Sequence, residues 1–190
     1  MKKKLLSLLS VSALVAISIG FSSCDEELGL EIGVPQEFET VYRLDPQTGT
    51  TFVLSETVSV DLDSILTAND ATREDIESVD WSATELTRTD STGNALAGAN
   101  FSNVKSVSMS IANTASGITV FQNADSAKMA SFGTNNPILF LPASGASLNF
   151  LDYFADGTPS TLASTVVVYN PITAPVYIKS KVTITVNAKL

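Results

Sequence analysis

The last fifteen residues, VYIKSKVTITVNAKL at positions 176–190, decide the fold class. Val176, Ile178, Val182, Ile184, Val186, Ala188 and Leu190 fall on one side of a two-residue period, with Ser180 the single polar member. Tyr177, Lys179, Lys181, Thr183, Thr185, Asn187 and Lys189 fall on the other. Side chains alternate across a strand. Strict alternation over this length predicts one long antiparallel strand with an apolar face and a wet face.

Upstream, short strands and turns repeat. Residues 38–44 and 52–62 flank Asp45-Pro46-Gln47-Thr48-Gly49, whose Pro and Gly suit a turn, so the two strands are expected to form a hairpin. On the second, Glu56 interrupts an apolar side made of Phe52, Leu54, Val58, Val60 and Leu62. Helical spacing of Leu62, Ile65 and Leu66 predicts a short helix. Thr72 with Asp75 resembles a capping box. Residues 76–89 form a strand with Val79, Trp81 and Ala83 on one face, and Ser91-Thr92-Gly93-Asn94 is a turn. Further strands are expected at 104–112, 118–122, 138–141 and 162–170. The last is apolar on both faces at Val166, Val167 and Val168, and so central. Leu148, Leu151 and Phe154 are helically spaced, with Gly157 placed to end that turn. The sum is an all-β chain: a single antiparallel β-sandwich of about eight or nine strands with one or two short helical turns. Lacking the Cys…Trp…Cys spacing of true immunoglobulin domains, it is expected to be immunoglobulin-like only. Two strand–helix–strand passages, near 62–79 and 148–166, hint at a duplicated half.

The chain begins differently. Lys2, Lys3 and Lys4 precede an uncharged apolar run, Leu5 to Phe21, which stops at Ser22-Ser23-Cys24 before Asp25-Glu26-Glu27. A basic head, a short apolar middle and a small-residue exit read as an export signal. A run of seventeen residues is at the lower edge for a membrane-spanning helix; a retained helix and an unlipidated secretory signal are the alternatives. Cys24 is the only cysteine. Ser22, Ser23 and Cys24 resemble the lipobox of bacterial lipoproteins, with Phe21 departing from the usual aliphatic. The resemblance covers residues 1–27 and is of the Bacteroidota type. It implies acylation of Cys24, removal of residues 1–23, and, from the acids that follow, residence on the outer membrane facing the cell exterior, or else its periplasmic face. Two or more acyl chains would make that anchoring stable. The expected organisation is a signal peptide at 1–23, a lipidated cysteine and tether at 24–36, and the sandwich domain at 37–190.

Charge narrows the partners. Without residues 1–23, which hold three lysines and no acid, 8 basic residues face 20 acids, a formal charge of −12. Seventeen of those acids lie within 25–90. Nucleic acid is an unsuitable partner, since phosphate contacts need clustered Lys and Arg. The membrane is expected to be met through the acyl chains, and the remaining partner is a protein or a glycan.

Histidine is absent, which excludes Ser-His-Asp and Cys-His nucleophile systems and histidine-ligated metals. No catalytic residue is assigned, and no cofactor is expected other than calcium. Its candidates are Asp61, Asp63, Asn69, Asp70 and Asp75, five oxygen ligands within fifteen residues, though not at EF-hand spacing. Asp61 and Asp63, if both pointed one way from a strand, would form a carboxylate pair of the kind hydrolases use. Trp81 reads as core, whereas Tyr153, Phe154 and Tyr177 are the aromatics expected nearer the surface. Asp63-Ser64-Ile65, Asp90-Ser91-Thr92 and Asp125-Ser126-Ala127 resemble the O-glycosylation acceptor of Bacteroidota, with Ser64, Ser91 and Ser126 as acceptors. The expected role is non-enzymatic: a surface binding, adhesion or accessory module. The alternatives are an assembly subunit pairing through an edge strand at Val176–Leu190, and a histidine-free carboxylate hydrolase.

Overall fold

A computed structural model describes residues 31–125, 135–142, 149–154 and 157–189. The signal segment, Cys24 and Ser126 lie outside the described residues. Among the described residues there are eight strands, β1 (Glu31–Leu44), β2 (Thr51–Val58), β3 (Ile76–Thr89), β4 (Val104–Asn113), β5 (Gly117–Asp125), β6 (Ile138–Phe140), β7 (Ser160–Val168) and β8 (Val176–Lys189). Among the same residues two short helices accompany them, α1 (Leu62–Ala68) and α2 (Leu151–Phe154), with a 3-10 turn at Arg73–Asp75.

The strands form two antiparallel four-stranded sheets, β1-β8-β3-β6 and β2-β7-β4-β5. The all-β sandwich is thus as the alternation demands. Its connectivity is not immunoglobulin-like. The pairs β4–β5, β3–β6, β2–β7 and β1–β8 nest around one hairpin, like a ribbon folded once. Rolling that ribbon adds the β8–β3 and β7–β4 pairings and closes the jelly-roll order. The ribbon also accounts for the two strand–helix–strand passages. α1 follows β2 and α2 precedes β7, so they are the two sides of one sheet-to-sheet crossing rather than a duplication.

Three expectations are corrected by this topology. β1 and β2 do not form a hairpin, because the 45–49 turn carries the chain from one sheet to the other. β8 is interior, between β1 and β3, so Val176–Lys189 offers no free edge for the pairing expected at Val176–Leu190. The strand before the turn starts at Glu31, opposite Lys189, so residues 31–36 are sheet rather than tether.

One core fills the space between the sheets. Val79, Ile111 and Ile184 are fully buried, with Trp81, Phe140, Phe150 and Phe154 almost so. Each such aliphatic side chain contributes about 1.5–3 kcal/mol of burial free energy. β7 is central in its sheet, and Val166 and Val168 face the core. On β3 a bulge between Trp81 and Ala83 shifts the inward face. Thr84, not Ala83, follows Trp81 into the core, and Trp81 Nε1 donates to Thr84 Oγ1 at 2.9 Å. The rings of Trp81, Phe121, Phe150 and Tyr153 form a chain of contacts with centroids 4.9, 5.2 and 6.0 Å apart.

Candidate functional site

Local bonds place three of the acids between 61 and 75. Asp61 caps α1: its Oδ1 accepts from Ser64 N at 3.0 Å and its Oδ2 from Ser64 Oγ at 2.8 Å. Asp63 takes both Arg73 Nε, at 2.6 Å, and Nη2, at 3.1 Å. Asp75 Oδ2 receives Thr72 N and Oγ1, each at 2.7 Å. These bonds hold all three carboxyls below their usual range. Asn69 closes α1 by donating Nδ2 to Ile65 O at 2.7 Å, and Asp70 takes a left-handed φ of 57° just beyond. Among the described residues no group of three or more His, Cys, Asp or Glu is close enough to hold a metal ion. The premise of the carboxylate pair also fails. Asp61 and Asp63 sit at the start of a helix rather than along a strand, and helical residues two apart do not face each other.

The aromatics expected near the surface are largely packed. Tyr153 and Phe154 are buried, because the single turn of α2 lays them against the end of the sandwich, where Tyr153 Oη donates to Thr119 Oγ1 at 2.6 Å. Tyr177 is half-buried, and Trp81 lies in the core as expected.

Two of the three acceptor serines are placed. Ser64 is exposed in the first turn of α1 but its hydroxyl is engaged by Asp61. Ser91 is exposed at the tip of a turn built by Asp90. Asp90 Oδ1 accepts from Thr92 Oγ1 at 2.6 Å, Thr92 N at 2.8 Å and Asn94 N at 3.1 Å. The Thr92 hydroxyl, then the Asn94 and Thr92 amides, hold the Asp90 carboxyl down to about 2.

One polar group the sequence marked only as an irregularity is structural. Glu56 points inward from the edge of its sheet and accepts a hydrogen bond from Thr40 Oγ1 on β1, at the edge of the other sheet. Burial pushes its carboxyl up, with the Thr40 hydroxyl acting against that. Burial and the Glu56 charge together push the Tyr42 hydroxyl up.

The outer faces of the two sheets differ in charge. On the β1-β8-β3-β6 sheet, Lys181 meets Glu37 at 2.8 Å and Lys179 meets Glu39 at 3.6 Å, with Glu85 opposite Lys181 in register. On the β2-β7-β4-β5 sheet the pairing registers align outward positions into four rows: Thr57–Thr161–Ala112–Ile118, Ser55–Ala163–Ser110–Val120, Val53–Thr165–Ser108–Asn123 and Thr51–Val167–Ser106, the backbone register of the last row ending at Asp125. A bulge at Met109/Ser110 sends Phe121 to the core while Val120 and Asn123 keep their places in the grid. Fifteen of the sixteen positions have no ionisable group, and Asp125 holds one corner. Val53, Val120 and Ile118 are 62%, 60% and 76% exposed. The sequence carried this signal as strands whose outward residues are Ser, Thr, Ala and Val; only the registers turn them into a surface.

No family model and no curated protein matches this chain. Solved structures that are similar include a 60-mer BFDV capsid protein, at 10% identity over 86% of this chain and 96% of that one, with a TM-score of 0.37. Desmodium yellow mottle tymovirus gives 13% over 91% and 95%, with a TM-score of 0.28. Turnip yellow mosaic virus gives 11% over 95% and 92%, also at 0.28.

Proposed function

We propose that this protein is a lipoprotein, anchored through Cys24 to the outer membrane and facing the cell exterior, that acts by binding rather than by catalysis. Its binding surface is the outer face of the β2-β7-β4-β5 sheet. The observation that carries this reading is the sixteen-position grid with a single ionisable corner, on a chain with 20 acids. An exposed sheet face normally carries mixed charge for solubility, and a face without it is one meant to be covered. Asp61 and Asp63, the carboxylates that a hydrolase would use, are engaged with Ser64 and Arg73, which favours the non-enzymatic role.

The test has two arms. Cys24→Ser is expected to move the protein from the membrane fraction to the soluble one and to remove the acyl mass; retention in the membrane would refute the anchor. A photo-crosslinking residue at Thr165, in the grid, is expected to give protein adducts on intact cells, and one at Thr183, on the opposite sheet, to give none. Equal yields would refute the choice of face.

A further inference from the structure

Taking that face as the binding surface, we propose that its occupant is a second copy of this chain, packed face to face through β2, β7, β4 and β5. The argument begins with charge. A strongly acidic chain repels its own copies wherever acids meet, and this face is where they do not meet. A basic partner would instead be drawn to the acidic loop after β2, where Asp61, Asp70 and Glu74 lie exposed. A glycan would want an aromatic platform, and no grid position holds an aromatic ring.

Size and shape agree. Four strands about 4.8 Å apart and four rows about 6.8 Å apart give, with their side chains, about 500 Å² of face. Two such faces bury about 1,000 Å², where specific interfaces begin. Small side chains at the centre, Ser108, Ser110 and Ala163, let two sheets approach to the ordinary stacking distance of about 10 Å. The exposed apolar members lie on opposite edges, Val53 on β2 and Ile118 and Val120 on β5. A two-fold axis parallel to the strands lays β5 of one copy over β2 of the other and covers both apolar edges.

Ser108→Cys in the full chain, in membranes and treated with a short bismaleimide, tests this. Two differently tagged copies are expected to appear together in one species of twice the mass, from Ser108→Cys but not from Thr183→Cys or the unaltered chain. Adding Ser110→Glu places like charges against each other and is expected to lower that yield about tenfold or more. A product carrying one tag and another mass overturns the second copy while leaving the binding face in place. No product above the Thr183→Cys control overturns both. A yield unchanged by Ser110→Glu shows that the copies meet elsewhere and also overturns the proposal.

Discussion

Thr84→Val tests the buried hydrogen bond that the β3 bulge creates. Trp81 is 2% exposed and Thr84 is fully buried, and the indole Nε1–H has Thr84 Oγ1 at 2.9 Å. Valine matches threonine in shape but removes that acceptor. The indole donor is then left buried and unpaired, which costs about 1–3 kcal/mol. For a domain of this size, ~2 kcal/mol lowers the melting temperature by about 4–8 °C. Trp81→Phe removes the donor from the other side and also loses packing against Phe121, whose ring lies 4.9 Å away. With both partners gone no polar group is stranded, so the double variant is expected to be more stable than the sum of the singles by about 1–2 kcal/mol. Urea unfolding followed by circular dichroism measures all four proteins, and the fluorescence of Trp81, the sole tryptophan, adds a local readout for Thr84→Val. A Thr84→Val variant as stable as the parent, with an additive cycle, would refute the buried hydrogen bond and the bulge that creates it.

Other outcomes follow from the same geometry. Ala83→Lys is expected to be tolerated and Thr84→Lys to unfold the domain, as judged by the midpoint of thermal melting; the reverse order would restore the unbulged strand. Folding raises Glu56 above its ordinary value of 4.5 through burial, so the folded chain binds the extra proton and stability falls as pH rises from about 4.5 through the folded value. Glu56→Gln should remove that part of the slope, seen as a flatter dependence of the urea midpoint on pH; parallel curves would contradict it. Asp90 runs the other way. Its stabilising contribution is present above its ordinary value of 3.8 and is lost as pH falls through about 2. Asp90→Ala should therefore differ from the parent at pH 5 and converge with it near pH 2 in acid-unfolding curves.

Much of the fold was legible because strand alternation is a local property. The pattern in 176–190 gave β8 its length and its inward face, and the apolar run at Val166–Val168 marked β7 as central. Pairing is not local. The Asp45–Gly49 turn has the chemistry of a hairpin turn, yet it spans from one sheet to the other, and nothing within those five residues distinguishes the two uses. The bulge at Trp81/Ala83 was hidden for a similar reason: Ala and Thr both suit either face, so composition could not report a shift of one. Tyr153 and Phe154 were misplaced because one helical turn has too few residues to show which side packs. The acids of 61–75 read as a ligand set by count, but three of them, Asp61, Asp63 and Asp75, are bonded locally, to Ser64, Arg73 and Thr72. The uncharged grid needed the registers of three strand pairs before its rows existed at all.

The edge position of β1 has a mechanical consequence. All fourteen of its residues pair with β8, from Glu31 opposite Lys189 to Leu44 opposite Val176, and among the described residues no strand pairs with its other side. A pull on Glu31 along the strand axis loads those pairs together, in shear. A pull outward from the sheet plane reaches them one after another, as in peeling tape. The force this domain withstands therefore depends on the direction in which the chain leaves Glu31, and it is greatest when that stem continues the line of β1.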